Sequence, residues 1–189
     1  MQAGSVTDEM RTARLVLRRW RDQDREPFAE LNADPEVMRR FPAPLTREQS
    51  DAFVDRIEDH FAAHGYGLWA IEVEGRFIGF TGLLWLRFQA DFTPALEVGW
   101  RLARPAWGHG YASEAATAAL ARGFQEVDRI VSVTATSNEA SRRVMERIGL
   151  SYRYDFEHPS VPEGHELRRH VLYRADRSTW QPRFVPRPT

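Results

Sequence analysis

The chain of 189 residues contains no cysteine. That excludes disulfides, thiolate metal sites and a cysteine nucleophile, so any acyl chemistry must take another route. Net charge is lacking too: 26 Lys+Arg stand against 27 Asp+Glu. No global field therefore favours nucleic acid or an anionic membrane, although local anion sites remain open to the arginines. There is no long hydrophobic run. The longest strongly apolar stretch, residues 77–86, is interrupted by Gly79, Thr81 and Gly82 and is too short to span a bilayer. The first ten residues hold Asp8 and Glu9 and no apolar centre, which is not the pattern of a signal peptide. A cytoplasmic protein with no nucleic-acid and no membrane partner is the expectation. Six histidines without metal-binding spacing predict no metal site and read as surface or loop residues.

What is present is an ordinary globular composition, 42% hydrophobic and 28% charged, on a chain long enough for one well-buried core. Residues 1–11 read as a flexible leader, 12–180 as a single domain and 181–189, with three prolines, as a tail. Residues 15–17 begin the first strand, and Asp22 or Asp24 can cap a helix that ends over 32–35. Thr46 with Gln49 forms a capping-box pattern ahead of Phe53, Ile57 and Phe61 at four-residue spacing, and Gly65 stops that helix. Residues 68–73 and 77–85 flank a hairpin connection at 74–76. Strands at 96–103 and 130–136 enclose a helix over about 111–125, the arrangement of a parallel crossover. Asn138 opens a last long helix with Gly149 past its end, and residues 150–156 and 167–173 close the chain as strands. The fold class is α/β, a mixed sheet of about seven strands with about four helices, parallel strands flanking the site discussed next.

Residues 96–119 organise the rest. A strand gives way to Trp107-Gly108-His109-Gly110 and then to a helix opening at Tyr111. Glycines let the backbone turn without a Cβ, and a helix start presents unpaired N–H groups with partial positive charge. The turn either simply reverses the chain or cradles a phosphate. Two phosphate schemes do not match. A dinucleotide fingerprint needs a third Gly or Ala where Ser113 stands and an acid where Thr136-Ser137-Asn138 stands, and a P-loop needs a lysine that is absent here.

A third scheme spans roughly residues 12–180. The stretch Trp107-Gly108-His109-Gly110-Tyr111-Ala112-Ser113-Glu114-Ala115, then Asn138-Glu139-Ala140-Ser141 and Glu146-Arg147-Ile148-Gly149-Leu150, resembles the acetyl-CoA-dependent N-acetyltransferases of the GNAT superfamily. Arg14-Leu15-Val16-Leu17-Arg18, Trp69-Ala70-Ile71, Glu97-Val98-Gly99-Trp100, Tyr173 and Trp180 extend the likeness, which is nearest to the RimJ/RimL-type branch. The resemblance implies acetyl-CoA as donor and an amine as acceptor. It implies that the turn from Trp107 through Gly108, His109, Gly110 and Tyr111 to Ala112 holds the pyrophosphate on its N–H groups. Strand residues Val98, Trp100 and Leu102 would run beside the pantetheine arm, with Asn138 and Ser141 contacting it from the last helix. Two departures stand out: Pro105, with Arg104 beside it, occupies a place where many members have Gln or Arg, and Met145 occupies the place of a tyrosine that many members use as general acid. Homodimers are common among such proteins, and one is possible here.

Direct attack by the amine is the economical mechanism without cysteine. Glu97 resembles a glutamate that some members use as base; alternatively it pairs with Arg101 two strand positions on. Ser141 is the acid candidate, or a residue merely capped by Asn138. His109 reads as a solvent-facing spacer. Trp20, Phe41, Trp85 and Phe88 line an acceptor pocket or belong to the core. A model α-amine, with pKa near ~8, is about a tenth neutral at pH 7, far more than a lysine amine near ~10.4, so a protein N-terminus, an amino acid or a similar small amine is the expected acceptor. A non-catalytic CoA-binding sensor is the alternative that Met145 suggests. A helix-turn-helix reading of 138–150 is opposed by the strand directly before it and by the neutral overall charge.

Overall fold

The structure, a computed structural model, describes residues 9–182. Most of the expected leader and tail lies outside those residues. Inside them, strand pairing starts before residue 12, because β1 (Met10–Arg11) pairs with β2 (Val16–Arg18). The elements that follow are α1 (Arg25–Ala33), α2 (Pro35–Met38), α3 (Arg47–His64), β3 (Leu68–Val73), β4 (Arg76–Leu86) and β5 (Ala95–Leu102). Then come α4 (Tyr111–Gly123), β6 (Arg129–Ala135), α5 (Glu139–Arg147), β7 (Ser151–Glu157) and β8 (Arg169–Asp176).

The described residues thus form eight strands and five α-helices rather than about seven and four. The additional strand, β1, has two residues, too few for any periodicity to register. The additional helix starts where a helix end was expected: Asp34 accepts the Glu36 N–H at 2.8 Å and Pro35 takes the first helical position, so this segment opens α2 instead of only closing α1. The last strand starts at Arg169 rather than 167, and Leu167 is buried from the preceding loop. At α3 the capping box forms in both directions, and Gly65 takes the left-handed φ of 72° that ends the helix.

One sheet runs in the order β1-β2-β3-β4-β5-β6-β8-β7. Every neighbouring pair is antiparallel except β5 and β6, which α4 connects as a crossover. Strand alternation then assigns the faces. Phe28 of α1 and Phe53 of α3 meet Phe80 of β4, each at 5.8 Å between ring centroids, on one face. Leu83, of opposite parity on β4, meets α4 at Gly123 on the other, where the buried Ala115, Ala116 and Ala119 let that helix sit close to the sheet.

A buried carboxylate ties α4 to the start of the chain. Glu114 accepts from Thr12 Oγ1 at 2.6 Å, from the Arg14 backbone N–H at 2.9 Å and from Arg14 Nε at 2.8 Å. Removing one member of such a pair leaves the other charge uncompensated. Glu114→Ala is therefore expected to lower unfolding free energy by about 3–5 kcal/mol, read by urea denaturation. An unchanged midpoint would show that the arginine finds solvent instead.

Candidate active site

β5 and β6 pair at only two rows, Leu96 with Ile130 and Glu97 with Val131, and then part. A side chain accounts for the parting: Glu97 Oε1 accepts the Val133 N–H at 3.3 Å, occupying a β6 donor that continued pairing would give to β5. Beyond it, residues 98–102 remain bonded to β4 on one side while 132–135 remain bonded to β8. The gap opens into a cleft of about 690 Å³ walled by both strands, by the loop after β5, by the N-terminal turn of α4 and by α5.

At one end of the cleft lies the glycine turn. A 3-10 turn, Arg104–Ala106, carries Pro105, and Trp107 Nε1 anchors it by donating to the Leu102 carbonyl at 2.8 Å. Gly108 and Gly110 take φ of 81° and 79°, left-handed values that disfavour side chains. Gly110 is the N-cap of α4, and the Glu114 N–H is the first to find its carbonyl, at 3.1 Å. The N–H groups ahead of it have no intrahelical acceptor. Ser113, in this first turn, lines the cleft, and its Oγ is buried without a hydrogen-bond partner. A buried orphan hydroxyl beside free N–H groups suits an anionic ligand. Arg104 is already engaged, its Nε 2.9 Å from Asp34.

The start of α5 forms the opposite wall. Asn138 caps it, accepting the Ser141 N–H at 3.3 Å, while its Nδ2 donates to Thr134 Oγ1 at 2.9 Å and to Ser141 Oγ at 3.0 Å. Because Ser141 Oγ is an acceptor in this network, its own proton stays available to a group in the cleft. Met145 is buried at 1% exposure and lines the wall with a thioether, which donates no proton. Tyr173 offers no substitute, since its hydroxyl donates to Glu146 at 3.0 Å and it does not line the cleft.

Glu97, Gly99 and Arg101 share the α1/α3 face of β5. Glu97 and Arg101 form no ion pair with each other. Burial pushes the Glu97 carboxyl up to about 7, against the lowering effect of the Val133 N–H. Burial pushes the Arg101 guanidinium down to about 10. Its Nη1 donates to Asn32 Oδ1 at 2.6 Å, and it lies over the Phe41 ring at 4.2 Å from the centroid. Further along, His158 and His170 line the cleft with their rings 4.7 Å apart. Desolvation, with the neighbouring His170, takes His158 down to about 4, so these two are packed neutral rings rather than free loop histidines.

Of the residues singled out from the sequence, Glu97, Trp100, Leu102, Trp107, Gly108, Gly110, Tyr111, Ala112, Asn138 and Ser141 line this one cleft. Val98 does not: it stands next to the last row at which β5 and β6 pair, and its side chain is fully buried in the core. His109 is exposed and stacks on Tyr111 at 5.3 Å. Among the aromatics proposed for a pocket only Phe41 lines the cleft; Trp20 donates to the Leu68 carbonyl in the core, Trp85 bonds Tyr66, and Phe88 packs on Phe92 and His158. Sequence reading missed Ser113, Thr134 and the cleft-facing role of Arg101. An arginine on the same strand face as a glutamate was the available signal for Arg101.

Residues 14–151 match the Acetyltransferase (GNAT) domain family. The FsC-acetyl coenzyme A-N(2)-transacetylase of Aspergillus fumigatus is 31% identical over 189 residues, covering 90% of this chain and 77% of its own. The crystal structure of a GNAT-family acetyltransferase from Bacillus anthracis superposes with a TM-score of 0.73 at 26% identity, covering 90% of this chain and 99% of that one. Mycobacterium smegmatis RimJ, solved in complex with CoA-disulfide, shares the fold with a TM-score of 0.69 at 18% identity over 87% of this chain and 82% of its own. With the splayed strands, the glycine turn and the capped α5 assembled on one cleft, the chain belongs to the GNAT family and is an acetyltransferase enzyme.

Proposed function

We propose that the protein moves the acetyl group of acetyl-CoA directly onto a primary amine in a ternary complex, in a site of RimJ/RimL type. The acceptor is a protein N-terminal α-amine, an amino acid or a similar small amine. The observation that carries this reading is the place of Glu97: a carboxyl in the throat where β5 and β6 part, with burial holding its pKa near 7. A base with that pKa is half ionised at neutral pH and is matched to proton abstraction there.

The cleft fits the donor. Backbone N–H groups of 108–112 and the orphan Ser113 hydroxyl suit its phosphates, and the β5 edge beyond Glu97, no longer paired with β6, gives the pantetheine arm a strand to lie along. Acetyl-CoA supplies the acetyl group as a thioester, so a C–N bond forms as the C–S bond breaks. Glu97 takes the proton that the amine must lose. CoA leaves as a thiolate that accepts a hydrogen bond from the Ser141 hydroxyl at the start of α5, a helix end that already favours negative charge, and the proton given up by the amine completes it as the thiol. An α-amine fits a base with a pKa near 7, because it needs about 1.4 kcal/mol to deprotonate at pH 7 against roughly 4.6 kcal/mol for a lysine side chain.

CoA thiol release across an amine panel tests the reading. Turnover is expected on α-amines ahead of lysine side chains and aminoglycosides, and the reverse order would overturn the acceptor assignment. Tight acetyl-CoA binding with no turnover on any amine would instead identify a CoA-sensing module. Ser141→Ala is expected to lower kcat by about 10–100-fold, the worth of one hydrogen bond to a charged group, with acetyl-CoA affinity changed far less. An unaltered kcat would remove Ser141 from the chemistry.

A further inference from the structure

Arg101 is a cation without an anion. Its Nε is buried and has no hydrogen-bond partner, and among the described residues no carboxylate lies within ion-pair distance of it. Three rings surround the guanidinium, Phe41 at 4.2 Å, Phe80 at 5.5 Å and Phe53 at 5.9 Å. Aromatic faces moderate the cost of a buried cation without neutralising it. The one polar partner, Asn32, is itself fully buried and is oriented by donating its Nδ2 to Ser50 Oγ at 2.9 Å, which turns Oδ1 toward Arg101. An amide in that place aims the guanidinium and leaves its full charge in force, whereas a carboxylate would cancel it.

The charge faces open space. Arg101 lines the cleft on the strand face that carries Glu97, and Gly99 stands between them with no atom within 4 Å of where its Cβ would be. Four strand steps separate the two Cα atoms by roughly 13 Å. The floor between the base and the cation is therefore clear for a ligand that reaches both.

We propose that Arg101 anchors a carboxylate of the acceptor: the amine that enters this cleft also carries a carboxylate several bonds from its nitrogen, held by the guanidinium while the nitrogen lies over Gly99 toward Glu97. This rests on the acetyltransferase reading of the same cleft and names the acceptor's chemical class. A guanidinium pairs a carboxylate through two parallel N–H groups, giving orientation as well as attraction.

Matched acceptors that differ only in that charge test it. In thiol-release assays, glutamate is compared with glutamine, and the peptide amide Ser-Asp-Ala with Ser-Asn-Ala, so that a small α-amine carboxylate and an acidic N-terminal sequence are separate arms. Wild-type kcat/KM is expected to favour the carboxylate by about 10–100-fold in at least one arm, and that arm names the source. Arg101→Gln should bring the ratio to near one, mainly through KM, with acetyl-CoA affinity retained. Arg101→Lys should recover part of the preference, and Asn32→Asp, which supplies an internal anion, should lose it as Arg101→Gln does. Equal wild-type rates in both arms, or a ratio that survives Arg101→Gln, would overturn the anchor, as would loss of acetyl-CoA affinity in Arg101→Gln with the ratio intact. Calorimetric binding of glutamate and the acidic peptide to CoA-saturated protein separates the two readings. Arginine-dependent binding without turnover on any amine would sink the acetyltransferase assignment and uphold the anchor, whereas turnover with no charge preference would do the opposite.

Discussion

Glu97→Gln is expected to lower kcat by about 10²–10⁴-fold, the range for loss of a positioned general base, and at the same time to stabilise the fold above neutral pH. Both effects come from one cause. In the native protein the carboxyl keeps its proton up to about pH 7, whereas the ordinary value is 4.5. Between those values the folded state binds more protons than the unfolded state, so stability falls as pH rises. The contribution is full below about 4.5 and is lost through about 7, beyond which the ionised carboxylate opposes folding by about 1–3 kcal/mol. Glutamine carries no such charge, and it should surpass the wild type in urea denaturation at pH 8.5 while matching it near pH 4.5. The pH profile gives an independent reading. Wild-type kcat should rise about tenfold per pH unit below 7 and then level, and the variant should lack that limb. A variant within about threefold of wild-type kcat would mean that Glu97 acts only as the wedge that holds Val133 away from β5.

Gly110→Asp is expected to weaken CoA binding by about 100-fold or more. At φ 79° most side chains are strained, and aspartate is among those that tolerate the left-handed region, so the fold should survive. The new carboxylate would stand at the N-cap of α4, where the free N–H groups are proposed to meet phosphate. Two like charges about 4 Å apart repel by roughly 4 kcal/mol at an effective dielectric near ~20, enough to account for the loss. Gly110→Ala separates strain from charge and should lose far less. Calorimetric titration with CoA measures both. Normal affinity in the aspartate variant would reduce the turn to a chain reversal.

Much of the frame was legible because its signals are local. Thr46 and Gln49 are three residues apart and cap α3 in both directions, Asn138 and Ser141 are three apart and open α5, and the crossover follows from a strand, a turn and a helix in immediate succession. The misses were elements too short to have a period. β1 is two residues, and α2 is one turn whose cap, Asp34, also ends α1.

The site divides along the same line. Strand parity put Glu97 and Arg101 on one face and left open whether they pair, because parity sets which way a side chain starts and not what it reaches. Glu97 reaches Val133, 36 residues on, and Arg101 reaches Asn32, 69 residues back. Val98 and Trp100 share a parity, yet only Trp100 lines the cleft, since the strands have parted further by that row.

By itself, then, the sequence determined the glycine turn and helix start at which ligand binding is proposed. Glycines that free the backbone and a helix start that exposes N–H groups are properties of consecutive residues and need no partner from elsewhere in the chain. Only the tertiary structure decided the charges that chemistry requires. A carboxyl with a pKa near 7 arises from desolvation, and a guanidinium without an anion arises from an amide, Asn32, standing where a carboxylate could; both depend on which distant residues close around a group.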